Sequence, residues 1–405
     1  MKKIIKIITI LITILFLVSI GAVLTIKTMA RKQFAGKVVS AQIASPIDFS
    51  DDLSQLSAEN SSMLQEVGVF GHSIGSVPIA ITGVENSDNL LVIYKDGRFD
   101  RWSISSGSIL ATRSVFVVTA EGNTTGLNPV SQISRNISFS NDGSLVITPN
   151  EVSQNGMIGF NIWNTNTLTQ LICFGKETYC SDVESDSVYT GLLLHPTKDL
   201  YFNAFSGSVS GWTGFTSLDG SGKYFNIRSG DFESTTITRL AMDPLGDYLA
   251  ISDNSGNVRI SDISIYENDA PDTQVLGFPG DANYRLSNPD EKNINTIDLK
   301  FDETHSWLGW LNDENLTIWS LKNYVFPLHF TTKLQDGNSI CFDRSGRILA
   351  VATKVGIRIF DIENKSVIKE YPVGEVTSLY FSRDNRILIW GDAEGNIHLW
   401  GVPQE

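Results

Sequence analysis

The sequence predicts an all-β fold, a β-propeller of about seven blades, preceded by one N-terminal transmembrane helix. Three observations carry this expectation. A strand–turn–strand pattern recurs at roughly the 40–45-residue period of a propeller blade. Continuous apolar runs (LLVI, YLAI, ILAV, ILIW) are bounded by turns rich in Gly, Asp, Asn and Ser, as strands buried on both faces should be. Near the start, Ile7 to Ile26 runs for 20 positions without a charge.

The N-terminal run comes first. At about 1.5 Å rise per residue it spans a bilayer core. A cleavable signal peptide has a shorter apolar region and small residues at the cut. Here Lys27 precedes Thr28-Met29-Ala30, so an uncleaved signal anchor fits better than a cleaved peptide. Lys2, Lys3 and Lys6 face Lys27, Arg31, Lys32 and Lys37 across the run, which leaves the positive-inside balance nearly even. A short tail usually stays in the cytoplasm, which places the body outside. The expected organisation is a cytoplasmic tail at 1–6, an anchor at 7–26, a stalk at 27–62 and a propeller at 63–405. Pro46 argues against one long helix in the stalk, and Ser54–Gln65 could form a short one.

The body repeats. Its second-strand leucines are Leu91, Leu145, Leu200, Leu249, Leu308, Leu349 and Leu388; the last two lie 39 apart and the pair before them 41. Earlier spacings stretch to 49–59, so six or eight blades stay open. The surplus residues read as polar loops at Ser103–Gln132, Gly175–Tyr189, Leu218–Thr236 and Tyr266–Asn293.

Four segments then match a known repeat: FSNDGSLVI with Trp163-Asn164, DPLGDYLAI with Ser261-Asp262, DRSGRILAV with Phe360-Asp361, and SRDNRILIW with Trp400-Gly401. On these the chain resembles the WD-repeat β-propeller family from about Met63 onwards, in degenerate form. No terminal Trp-Asp pair is intact, and Gly71-His72 alone stands for the family's Gly-His element. The segment AENSSMLQEVGVFGHSIGSV looks like the lead-in of bacterial membrane-associated members. The last copy, IHLWGVPQE, stops after its third strand. Leu64–His72 is therefore the expected outer strand that closes the ring and removes an exposed edge.

Charge and chemistry narrow the function classes. The chain carries −14; its first 32 residues hold six bases and no acid, leaving 25 basic and 45 acidic residues, a balance of −20. Such a body repels nucleic-acid phosphates and suits solubility or a cationic partner. The five histidines, His72, His195, His305, His329 and His398, form no HExxH or HxH motif, and no phosphate-binding GxxxxGK[ST] occurs. No catalytic, cofactor or metal residues are assigned. Acidic turns such as Asp253–Asn257, Asn312–Asn315 and Asp392–Asn396 read as hairpins rather than calcium loops. Trp310 and Trp390 read as filling between blades, with a ligand platform at the channel mouth as the alternative. If the body is extracytoplasmic, Cys173 and Cys180 in CFGKETYC could form a disulfide; free thiols are the alternative. Cys341 reads as a core residue.

The expected function is a non-catalytic protein-interaction scaffold, single-pass in the cell membrane, with its propeller outside the cytoplasm and an unidentified protein partner. The alternative is a hydrolase- or lactonase-like propeller that binds a small molecule or metal in its central channel. It needs convergent polar residues on the inner strands, and no repeated polar inner-strand position is apparent.

Overall fold

The computed structural model describes residues 53–70, 76–84, 87–118, 136–153, 156–175, 183–184, 188–205, 208–213, 224–228, 236–263, 275–277, 283–286, 295–321 and 326–404. The tail, the Ile7–Ile26 run, most of the stalk, His72 and Cys180 lie outside these residues. Among the described residues no helix is long and apolar enough to cross a membrane.

The described strands form seven separate sheets. The first, fifth and sixth are plain four-stranded meanders: strands between Pro78 and Ser114, Thr296 and Lys333, and Gly337 and Tyr371. The second, third and fourth take in extra or displaced strands, such as Val275–Gly277, which pairs parallel to Tyr224–Arg228. The seventh, Val376–Pro403, takes its outer edge from the N-terminal side.

One inner strand of every sheet lines a single central cavity of about 340 Å³, from Ile79–Thr82 through Ile137–Phe139, Leu192–Leu193, Arg239–Met242 and Asp298–Phe301 to Asn338–Cys341 and Thr377–Tyr380. The sheets therefore surround one axis.

The repeat has a physical signature in the turn between first and second strands. Residue i donates its N–H to the carbonyl of i+5 in all seven: Val84 to Asn89, Ser140 to Leu145, His195 to Leu200, Asp243 to Tyr248, Asp302 to Trp307, Asp343 to Ile348 and Ser382 to Ile387. In five of them the side chain closes the same loop from the other direction. Ser140, Asp243, Asp302, Asp343 and Ser382 each accept the N–H of i+5, at 2.6–2.9 Å. This is why the sequence shows Asp or Ser five positions before the second strand in five of the seven sheets: the side chain satisfies an N–H that burial would otherwise strand.

Second strands are buried throughout, as at Ile348–Thr353, and aromatic residues of the third strand fill the wedges between sheets. Opposite Trp102, Trp163, Trp319, Phe360 and Trp400 the ladder to the outer strand slips by one residue. Such bulges deepen the local twist that a radial sheet needs as it leaves the axis.

Two expectations are corrected. The polar stretches read as loops hold strands: Ser108–Ser114 and Tyr224–Arg228 are fourth strands, and Val183–Glu184, Val188–Tyr189 and Asn283–Arg285 also pair. A rim strand has one face in water, so Ser108–Ser114, mostly exposed, lacks the apolar run that marks its inner neighbours. Second, the ladder begins before Met63. Leu53 and Ser54 pair with Pro403 and Val402, and Leu56 and Leu64 are buried against the sixth and seventh sheets. Of the suggested helix, Ser61–Met63 is a single 3-10 turn.

The expected closing strand is present. Gln65–Phe70 pairs antiparallel with Ile397–Gly401, completing the sheet that the C-terminal strand leaves open. The segment between it and Leu53 is strapped down from several sides. Asn385 donates to the Leu56 carbonyl at 3.0 Å, Tyr371 donates to the Ser61 carbonyl at 2.7 Å, and Arg347 pairs with Glu59 at 2.7 Å.

Candidate functional site: the central channel and its mouth

Two positions recur on the inner strands, and at most of them the side chain lines the channel. The first lies four residues before the turn residue described above and holds Ala80, Asn136, Gly191, Arg239, Asp298, Ser339 and Ser378. On the first and the last four of these strands a bulge falls just before this slot, which sets its side chain toward the axis. The second slot, two residues on, includes Thr82, Ser138, Lys300, Cys341 and Tyr380.

A buried ionic cluster spans the fourth to sixth sheets. Asp298 Oδ1 accepts Arg239 Nη2 at 2.9 Å. Its Oδ2 accepts Ser339 Oγ at 2.9 Å and the Ile340 N–H at 3.0 Å, with Lys300 Nζ at 3.6 Å. Burial raises the Asp298 carboxyl, but the charges of Lys300 and Arg239, with the Ile340 N–H and the Ser339 hydroxyl, overcome it and hold the group well below the usual carboxylate range. Burial lowers the Arg239 guanidinium, opposed by Asp298. The cluster ties three neighbouring sheets. Its carboxylate is saturated by the protein's own donors, so it is poorly placed to act as a base. Cys341 also lines the channel, its thiol pushed up by burial.

A polar inner-strand position does repeat, which corrects the expectation from sequence. The signal is present there: Arg239, Asp298, Ser339 and Ser378 each stand four residues before the turn Asp or Ser. It is obscured because the four differ in charge and size, while the apolar positions beside them dominate the pattern.

The histidines scatter. His195 occupies the turn slot of the third sheet; its Nδ1 accepts the N–H groups of Thr197 and Lys198 at 3.2 and 3.0 Å, and burial pushes it down to about 4. Gly246, at φ +86°, packs so closely that a Cβ there would fall 2.1 Å from His195 Nε2. His305 contacts Asp243 at 2.7 Å across to the fourth sheet. His329 bonds the Ile362 carbonyl at 2.9 Å and lies against Trp307. His398 sits on the closing edge, between Glu66 and Asp392. Among the described residues no three His, Cys, Asp or Glu side chains are grouped to hold a metal.

Trp310 is buried, donates to Thr296 Oγ1 at 3.0 Å and stacks on Trp319. Trp390 is buried and stacks on His398. Both fill space between and within sheets, and neither is among the channel-lining residues, so the ligand-platform alternative falls. The acidic turns are hairpins. Asp253 Oδ1 accepts two backbone N–H groups at 2.9 Å, and Asp392 does the same at 2.9 and 2.7 Å. Cys173 is buried, with Asn150 Nδ2 3.8 Å from its sulfur; its expected partner lies outside the described residues.

At one end of the channel the hairpins and connecting loops of the fifth to seventh sheets form a continuous exposed surface. The Leu334 N–H binds the Glu314 carbonyl at 2.8 Å, the Lys354 N–H binds Asp336 at 3.0 Å, and Asn338 Nδ2 binds Val376 at 2.9 Å. On it Val355 is 60% and Val373 36% exposed. The exposed acids Asp313, Glu314, Asp336 and Glu375 outnumber Lys333 and Lys354.

No family model matches the chain. It is 37% identical over 76 residues to the small ribosomal subunit protein RACK1 of Trypanosoma brucei brucei, and equally to that of Trypanosoma brucei rhodesiense, over 16% of this chain. The match spans 24% of those proteins, about a quarter of their length. Among solved structures the chain is similar to the Cps50 (Swd1) β-propeller domain of Myceliophteria thermophila, with a TM-score of 0.59 and 14% identity, covering 84% of this chain and 99% of that one. These matches support the resemblance to WD-repeat propellers read from the sequence, and the chain has the β-propeller fold.

Proposed function

We propose that this protein is a seven-bladed WD-type propeller, tethered by one N-terminal membrane helix, which works outside the cytoplasm as a non-catalytic platform for a protein partner. The observation that carries the reading is the contrast at the channel. The Arg239–Asp298–Ser339 cluster inside is satisfied by its own members, whereas the mouth over the fifth to seventh sheets presents apolar and acidic residues to solvent. Exposed apolar residues ringed by charge mark interaction surfaces, and an acidic rim favours a cationic segment. The tether rests on the uncharged Ile7–Ile26 run. The Cys173–Cys180 disulfide belongs to the same reading, since an oxidising compartment permits it.

The test is crosslinked capture of the full chain from its host beside a Val355→Asp, Val373→Asp variant. A partner held by the wild type and lost by an equally stable variant supports the platform; equal capture by both removes it. Protease added to intact cells tests the placement, because a propeller outside the cytoplasm is cut and one inside is spared.

A further inference from the structure

We propose that His398 is a proton-operated latch on the ring-closing strand Gln65–Phe70, holding that strand under mildly acid conditions and loosening it as the medium becomes alkaline. The geometry demands it. Nδ1 of His398 lies 2.8 Å from Glu66 Oε2, and Nε2 lies 3.1 Å from Asp392 Oδ2. Both ring nitrogens therefore face carboxylate oxygens. A neutral imidazole carries one N–H and can satisfy one of them, leaving a lone pair against the other; only the imidazolium donates to both. The ring also lies flat on Trp390, with centroids 3.8 Å apart and planes 9° apart, a geometry that favours the cation.

The two carboxylates are not equally free. Asp392 is held by its own hairpin, accepting the N–H groups of Glu394 and Asn396 and, at 2.8 Å, Asn396 Nδ2. Glu66 is 49% exposed and stands on the closing strand, beside the bulge between Glu66 and Gly68. When His398 loses its proton, Glu66 is the partner released.

The sixth sheet has the same device without the switch. In the ladder register, Arg358 opposite Val351 corresponds to His398 opposite Trp390. Arg358 pairs with Glu370 on the outer strand at 3.0 Å, and an arginine keeps its charge at any physiological pH.

The charged and titratable groups on the surrounding elements are few. Glu66 comes from the closing strand; Asp392 and the exposed Glu394 come from the hairpin. On the neighbouring sixth sheet stand the Arg358–Glu370 pair, Lys369 over the Tyr371 ring, and Tyr371 itself, packed on Trp400 and kept neutral by burial at about 12. Burial lowers the imidazole, and hydrogen bonds and charge from Asp392 and Glu66 more than offset this, leaving it above its ordinary value. The stabilisation is thus complete below about pH 6.5, the ordinary histidine value, and is lost as pH rises through the raised value. Asp392 is held below its ordinary range, so the acid limit lies lower still.

The test is amide hydrogen exchange of Gln65–Phe70 in the detergent-solubilised full chain at pH 6 and 8.5, corrected for intrinsic exchange. Protection is expected to fall about tenfold, while Ile348–Thr353 keeps its protection. His398→Arg should remove the pH dependence with protection high at both values, and His398→Gln should remove it with protection low at both. A flat wild-type profile, or a pH dependence that survives His398→Gln, overturns the latch.

Discussion

The sixth and seventh sheets are read from closely similar sequence, DRSGRILAV and SRDNRILIW, and differ in how they are completed. The sixth makes its outer strand, Ser366–Tyr371, directly after its third, through a turn in which Lys365 adopts φ +55°. The seventh borrows its outer strand from the other end of the chain, so that Gln65 pairs with Gly401. One sheet is a local product; the other closes the molecule. Local pairing needs little loop-closure entropy, whereas joining the ends orders the whole chain between them. The seventh sheet is therefore where the stability of the entire ring concentrates, and the strap at Leu56–Leu64 reinforces that joint against the sixth sheet.

The most severe challenge to this contrast is deletion of Gln65–Phe70. It exposes the edge of Ile397–Pro403 and uncovers the face held by Phe70, which stacks on Trp102. The expected outcome is loss of a cooperative thermal transition, together with aggregation detected by light scattering. An unchanged melting curve would mean that the seventh sheet stands alone as the sixth does.

Next in size is the channel cluster. Asp298→Ala leaves Arg239 buried without its carboxylate and should cost about 3–5 kcal/mol in urea unfolding. The double change Arg239→Met, Asp298→Leu should cost much less, because both charges leave together. Equal losses in the two variants would contradict the ion-pair account.

A finer difference lies in the equivalent turns. Asp343 accepts the N–H groups of Ile348 and Ser345, the Ser345 hydroxyl and Asn385 Nδ2. Ser382 fills the same slot in the seventh sheet, accepting the N–H groups of Ile387 and Arg386. Asp343→Ala should cost about 2–3 kcal/mol and Ser382→Ala about 1 kcal/mol, since bonds to a charged group are the stronger ones. Denaturant midpoints measure the difference, and a reversed order would show that burying the charge outweighs the bonds it makes.

The smallest effect is expected at Arg358–Glu370, where Glu370 is 60% exposed. Glu370→Gln should change stability by less than about 1 kcal/mol, and its difference from the wild type should be the same at pH 6 and 8.5. It is the non-titrating control for the His398 pair.

Much of the fold was legible because its rules are local. Second strands buried on both faces must be continuously apolar, and five of the seven turns use Asp or Ser at a fixed offset, so Asp243, Asp302, Asp343 and Ser382 announce the repeat in sequence. The closing strand was legible by subtraction, since the last copy lacks a partner. Rim strands such as Ser108–Ser114 were not, because one wet face erases the apolar signal and leaves a segment that resembles a loop.

The candidate site divides in the same way. Neighbouring residues alone establish the repeat, the turn chemistry, the acidic balance and the apolar run at Ile7–Ile26. Three further facts come from packing in space: Arg239 meets Asp298 from another sheet, Leu53–Leu64 belongs to the ring rather than to a stalk, and Glu66 reaches His398 from the far end of the chain. Those contacts depend on the angle between sheets and on ring closure. Both are set by packing around the axis, and no local pattern records them.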